Sequence, residues 1–363
     1  MTERHVRRFL LLILATLLGL GCLAVYSTTA VQAAQLYGHS GRFLGHHLAS
    51  IAMGLVLGLG CLAIPYPALR RGAKITVLVS VVCLGLVALC GPEIGGAHRW
   101  FRIGRLSIQP SEFAQLALVL YLADFLARKR DQVHEFRDGF LPPVIITGLM
   151  AGLTLLQPDL GTAIVMGCVV LVMLMVAKAE WKHMAMLLAI GAVALVILVA
   201  GAEYRRRRLF AFMHPWDDPL GAGFQILQSY IALGSGGVFG QGIGASIQKL
   251  FYLPGAHTDF IFAIIGEELG LIGTTAILGL FALFILCGVR MALMTDDRFS
   301  KYLICGYVAL IGLEAVVNMA VVTGLLPTKG LPLPFISYGG TSMVGNLLAF
   351  ALIMRASRPM PAS

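Results

Sequence analysis

Seven acidic residues sit in or beside long apolar stretches, where an ionised group is costly unless it has a partner or a function. They are Glu112, Asp124, Asp159, Asp259, Glu267, Glu268 and Glu314. Asp259 is the best placed of them for chemistry. It stands in Leu253-Pro254-Gly255-Ala256-His257-Thr258-Asp259-Phe260-Ile261-Phe262, directly ahead of an apolar run. The positive end of a helix starting there should keep the carboxylate ionised and able to act as a base. Capping that helix is the simpler role, and Thr258 could serve for it instead. Asp159 lies in Pro158-Asp159-Leu160-Gly161-Thr162, where a proline separates two short apolar runs and frees backbone carbonyls. It too is a good helix cap, a role compatible with a direct one. Glu267 follows Asp259 by eight residues, roughly 12 Å along a helix, and is read as ordering its span or pairing with another helix. Asp124 lies near a basic end of its run and reaches water.

Cations gather on the same side as Asp259: Arg99, Arg102, Arg105, the run Arg205, Arg206, Arg207 and Arg208, Lys249 and Lys329. An arginine run is usually just solvated, but this one directly follows an apolar span on the side that disfavours positive charge. An anionic ligand would compensate it, and the planar guanidinium fork suits pyrophosphate.

The elements that must position these groups are membrane helices. Of 363 residues 58% are hydrophobic and 12% charged, against about 25% charged in a soluble domain. Apolar windows long enough to approach the hydrocarbon thickness of about 30 Å fall at 9–26, 43–64, 75–90, 106–127, 142–157, 160–177, 184–202, 260–287, 302–326 and 335–354. The expected fold is all-α and polytopic: ten transmembrane helices in one domain over residues 1–363, with both ends on one side. Of the 27 lysines and arginines, 17 fall on the side of the N-terminus, so the positive-inside bias puts both termini in the cytoplasm. The net charge of +9 expresses this bias and attraction to anionic lipid rather than to nucleic acid.

The cytoplasmic connections are too short for a nucleotide-binding domain. The outer face has connections at 91–105 and 327–340 and a large extracytoplasmic loop at 203–257, between the seventh and eighth spans. Trp216, Phe224, Tyr230, Phe251 and Tyr252 make that loop too aromatic for disorder. An interfacial helix is expected at 224–233 and a glycine-rich turn at 234–244. The glycines do not form GxGxxG and follow no strand, so they are not read as a nucleotide site. Arg7-Arg8 before an apolar run resembles a signal peptide, but nine further windows follow and it is read as the first span. The seven cysteines lie within or at the ends of apolar windows with no CxxC spacing, which points to packing rather than to disulfides or metal.

The chain resembles the SEDS family (shape, elongation, division and sporulation) over nearly its whole length. The resemblance is carried by Gly96-Ala97-His98-Arg99-Trp100, Gln109-Pro110-Ser111-Glu112-Phe113-Ala114, Pro158-Asp159-Leu160-Gly161-Thr162, residues 204–209, Gln248-Lys249-Leu250-Phe251-Tyr252-Leu253-Pro254, His257-Thr258-Asp259-Phe260-Ile261-Phe262-Ala263, Gly266-Glu267-Glu268-Leu269-Gly270 and residues 327–340. Residues 248–254 and 327–330 are more similar to the FtsW branch than to the RodA branch. The resemblance implies a ten-span glycosyltransferase of the bacterial cytoplasmic membrane that polymerises lipid II during cell division. It implies an essential aspartate at Asp259 and work beside a class B penicillin-binding protein and other membrane proteins of the division complex.

On this reading Asp259 is the general base, and Arg205, Arg208, Lys329, Asp159, Glu112 and Arg99 are the substrate-binding candidates. No metal set stands out, and a divalent cation, magnesium or manganese, is compatible with the leaving group. Two positions depart from the family pattern: Gln115 stands where a lysine is usual, and Gly255 where a glutamate commonly follows Leu-Pro. The first leaves Glu112 needing another cation or a proton. The rival readings are a lipid II flippase, a RodA-like elongation polymerase and a scaffold for the division complex. Against the flippase stand the lack of a second broken pair in the other half and the concentration of the polar motifs on one face.

Overall fold

Among the described residues, 2–93, 96–104, 106–250 and 252–358, the computed structural model has twelve α-helices and one short hairpin. Arg105 and Phe251 lie outside the described residues. The helices are α1 (Glu3–Tyr37), α2 (Arg42–Ala63), α3 (Tyr66–Cys90), α4 (Pro110–Arg128), α5 (Leu141–Leu156), α6 (Leu160–Val176), α7 (Trp181–Ala200), α8 (Glu203–Met213), α9 (Phe224–Gly236), α10 (Ile261–Met294), α11 (Arg298–Val322) and α12 (Gly340–Ala356). Strands β1 (Phe101–Ile103) and β2 (Leu106–Ile108) pair antiparallel.

Each of the ten apolar windows contains a helix. Among the described residues eight helical stretches are long and apolar enough to cross a membrane, the fifth running from Phe136 to Leu156, and the windows at 160–177 and 335–354 contain the shorter apolar helices α6 and α12. The fourth window begins too early because 106–108 belongs to the hairpin, which turns at Gly104 with φ 63°. Helix α4 starts only at Pro110, a residue suited to a first turn. The tenth window likewise starts in irregular chain, ahead of Gly340.

Helices α4 and α11 form the centre, where Tyr307 donates to the Leu116 carbonyl at 3.0 Å. Helix α12 packs on α2, whose Gly54 and Gly58 lie against Leu347 and Ala351; small residues four apart let the backbones approach. The two ends of the described chain meet on one face. Arg7 donates to the carbonyl of Ser357, and Arg355 to that of Ile64 at 3.0 Å.

Helix α10 is broken at Gly270, where φ is 66° and ψ is −162°. The glycine turn after α9 fills the break: Gln241 and Gly242 donate to the carbonyls of Glu267 and Glu268 at 2.9 and 3.0 Å. In return the amide of Leu271 donates to the Gly237 carbonyl at 2.9 Å. Backbone groups freed inside a bundle must find such partners. The C-terminal half therefore does contain a broken helix, which weakens one of the two sequence arguments against a transporter. Its freed groups are consumed by the turn rather than left facing a passage.

Candidate active site

Asp259 is held by its backbone and left free at its carboxylate. The three successive carbonyls of His257, Thr258 and Asp259 accept from Tyr338 N at 2.9 Å, Ser337 Oγ at 2.6 Å and Asn318 Nδ2 at 2.8 Å. Asn318 also donates to the Leu331 carbonyl at 2.6 Å, tying the 329–331 segment to the same point. Gly330 lies directly against the carboxylate, so close that a β-carbon there would stand 2.8 Å from Oδ2. Below, His257 packs between the rings of Phe43 and Tyr338, at centroid distances of 5.8 and 5.6 Å.

Asp259 does not cap α10; Phe260 occupies the cap position, with no side-chain bond. Among the described residues no hydrogen bond or ion pair reaches the Asp259 carboxylate. Burial pushes it up to about 6, against the pull of Arg208 and then Arg99 and with some help from Asp159. The helix end was expected to keep it ionised. It stays mostly ionised at neutral pH but titrates near the range that suits a general base.

The other expected site residues gather around it. Lys329 is pushed down to about 8 by burial and by Arg205 and Arg208, while Asp159 opposes the shift. Arg208 lies over the Tyr204 ring, 5.9 Å from its centroid. Arg205 bonds the Tyr204 hydroxyl at 3.0 Å and the Leu198 carbonyl at 2.9 Å, which fixes the start of α8. Arg207 is spent on Glu203 at 2.6 Å. Asp159 caps α6, accepting from the Thr162 amide at 3.2 Å and hydroxyl at 2.8 Å. Arg99 takes the carbonyls that the proline frees, donating to Gln157 at 2.7 Å and Pro158 at 2.6 Å. Its guanidinium thus holds the break between α5 and α6 in place, while still acting on Asp259.

Glu112 sits in α4 beside Gly345 of α12, facing the carboxylates of Asp159 and Glu314. Among the described residues it has no hydrogen-bond or ion-pair partner, so no cation replaces the lysine missing at Gln115. The departure at Gly255 has a conformational reason: φ there is 73°, a region glycine enters freely.

The remaining charged candidates are structural. Glu267 accepts from Ser246 and from the amides of Ile247 and Gln248, and so sews the 246–248 segment to α10. Lys249 pairs with Glu268 at 2.8 Å and Ser27 at 2.9 Å. Asp124 pairs with Arg70 and Arg128 at 2.9 and 2.8 Å. Arg102 is exposed on β1. Asn318 was missed by the sequence reading. A lone asparagine in an apolar helix was its only signal.

The model of the cell cycle protein family FtsW, RodA and SpoVE matches residues 8–360. The chain belongs to that family. Curated members resemble it from end to end. A probable peptidoglycan glycosyltransferase FtsW of Geobacter metallireducens is 41% identical, with 98% of this chain and 96% of that protein covered. The stage V sporulation protein E of Bacillus subtilis is 40% identical, with 99% of each covered. Among solved structures, a chain of a peptidoglycan synthase complex that coordinates polymerization and crosslinking superposes with a TM-score of 0.78 at 30% identity, over 96% of both chains. The rod shape determining protein RodA of Thermus thermophilus gives 0.73 at 28% identity, over 96% of this chain and 95% of that one. FtsW-named relatives at this identity put the chain on the FtsW-like side of the family.

Proposed function

We propose that this protein is a peptidoglycan glycosyltransferase that polymerises lipid II into glycan strands during cell division, with Asp259 as general base. The observation that carries the reading is a free carboxylate, fixed by its backbone, inside a cluster of cations. Asp259 takes the proton of the attacking GlcNAc 4-hydroxyl as that oxygen closes on the anomeric carbon of the second substrate. The bond to undecaprenyl pyrophosphate breaks, and the leaving group departs as an anion. Arg208, Lys329 and Arg205 neutralise it, and Asp159 and Arg99 keep the broken α5–α6 corner beside it. Glu112 faces the Asp159 carboxylate from α4.

Among the described residues no group of three His, Cys, Asp or Glu side chains could hold a metal alone. A magnesium or manganese ion, commonly bound through one or two carboxylates plus phosphate oxygens, would find Asp159 beside the pyrophosphate and would add neutralising charge. The crosslinking partner in this reading is a class B penicillin-binding protein, in line with the synthase complex that the chain resembles. The test of the function is reconstitution with purified lipid II and that partner, with glycan chain length and lipid transbilayer movement measured separately. Movement without polymer would make the protein a transporter.

Arg205 and Arg208 are expected to act through their forks. Replacing both by lysine keeps the charge and loses bidentate contacts, so polymerisation should fall about tenfold or more. Full activity in a steady-state assay of that variant would remove them from the site.

The face bearing Asp259 is extracytoplasmic in this reading, because the opposite face carries most of the lysine and arginine. A cysteine at Asp217, exposed in the 203–257 loop, should react with a membrane-impermeant maleimide in spheroplasts when exposed Cys90 is first replaced by serine. Reaction only after permeabilisation would invert the orientation.

A further inference from the structure

The face where the chain ends meet carries a second concentration of charge that the proposed chemistry does not use. Tyr66, Arg70, Arg71 and Lys74 from the start of α3, with Asp124 and Arg128 from the end of α4, line a pocket of about 510 Å³. Four cations face one carboxylate, and that carboxylate is already engaged. Asp124 is buried and holds Arg70 and Arg128 side by side, with Nε and Nη2 at 2.9 and 2.8 Å. The pocket thus has a built inner wall of two clamped guanidiniums. Arg71 and Lys74 stand exposed at its rim, and among the described residues neither has an ionic or hydrogen-bond partner. Tyr66 is fixed in the wall by its hydroxyl's bond to Asp297 and by the Phe299 ring, 5.4 Å away.

A second observation says what kind of anion fits. Ile75, Leu78, Val79, Val82 and Leu86 are all exposed. They follow Arg71 and Lys74 at spacings of three and four, which places them on the same side of α3. The cationic pocket therefore opens onto an apolar stripe that runs down the helix. A phosphopeptide, a nucleotide or free phosphate would leave that stripe unused. A diacyl phospholipid would cover it. The excess of cations over carboxylates also disfavours a headgroup with its own positive charge, which would find no free anion here.

We propose that this pocket binds the phosphodiester of an anionic phospholipid, with its acyl chains laid along the exposed side of α3. The site is separate from Asp259 and from lipid II, and it does not depend on the proposed polymerase activity. On the orientation given above the lipid belongs to the cytoplasmic leaflet, whose anionic lipids attract basic groups next to spans.

Native mass spectrometry of the full chain in detergent, titrated with phosphatidylglycerol and, as reference, phosphatidylcholine of the same acyl chains, reads the retention. The parent is expected to prefer phosphatidylglycerol, and Arg71→Ala/Lys74→Ala to weaken that retention roughly tenfold or more. Leu78→Gln/Val82→Gln, which spares every cation, should also weaken it. Circular dichroism is expected to show unchanged helix content in both variants, since all four positions are exposed. Equal retention of the two lipids by the parent, or undiminished retention in the Arg71→Ala/Lys74→Ala protein, overturns the proposal. So does displacement of the lipid by millimolar inorganic phosphate or by a hexaglutamate peptide together with full retention in the Leu78→Gln/Val82→Gln protein, which would mark a site for a soluble anion.

Discussion

Asp259→Asn is expected to lower the rate of glycan polymerisation by roughly 10²–10⁴-fold, the usual contribution of a positioned general base, while the protein stays folded. The separation of these two effects follows from how the residue is held. Its backbone carbonyl, which asparagine retains, accepts from Asn318, and its carboxylate has no hydrogen bond or ion pair among the described residues. The substitution therefore removes proton affinity and little else. Because burial lifts the carboxylate to about 6, the parent enzyme should also lose activity on its acid side. The active form is the ionised one, so kcat/KM should be flat near neutrality and fall about tenfold per unit below about pH 6. Lipid II polymerisation by purified protein with its transpeptidase partner reads both quantities. Near-normal output from Asp259→Asn would end the assignment and make Asp159 the leading carboxylate.

Much of the architecture was legible because hydropathy is a local property. Every apolar window contains a helix, though the fourth and tenth begin ahead of it, and the proline at 158 correctly marked a corner whose carbonyls needed donors. The same reading assigned Arg99 to substrate binding and did not connect it to those carbonyls, 58 and 59 residues further along the chain. Distance in sequence hid the match. Gly270 was quoted within a motif but not recognised as a break, since a single glycine in an apolar helix is common and the turn that fills this one lies some thirty residues earlier.

For Asp259 the position was readable and the environment was not. A carboxylate at a helix start suggests an ionised cap, but burial beneath Gly330 and the 329–331 segment outweighs the helix end. Lys329 shows the same limit. It reads as a phosphate-binding cation, while its fall to about 8 arises from burial and from Arg205 and Arg208 of α8.

Asn318→Leu should show how far the site depends on a residue that touches no substrate. The side chain is 1% exposed, and one amide nitrogen serves two carbonyls, those of Asp259 and Leu331. Leucine fills similar space and donates nothing, so two buried acceptors lose their partner, at about 1–3 kcal/mol each. A lower unfolding midpoint is expected on that ground alone. The functional effect is separate, because Asn318 is the link between the base and the segment carrying Lys329 and Gly330. If that segment drifts by about 1 Å, a loss near 10²-fold is expected. The pH profile distinguishes positioning from mere destabilisation. With Gly330 no longer seated on the carboxylate, water reaches Asp259 and its titration drops toward the ordinary carboxylate range, so the acid limb should move below pH 6. A variant that is only less stable keeps the limb near 6 and loses amplitude. An Asn318→Leu protein with full activity and an unmoved acid limb would show that the base is held without this residue.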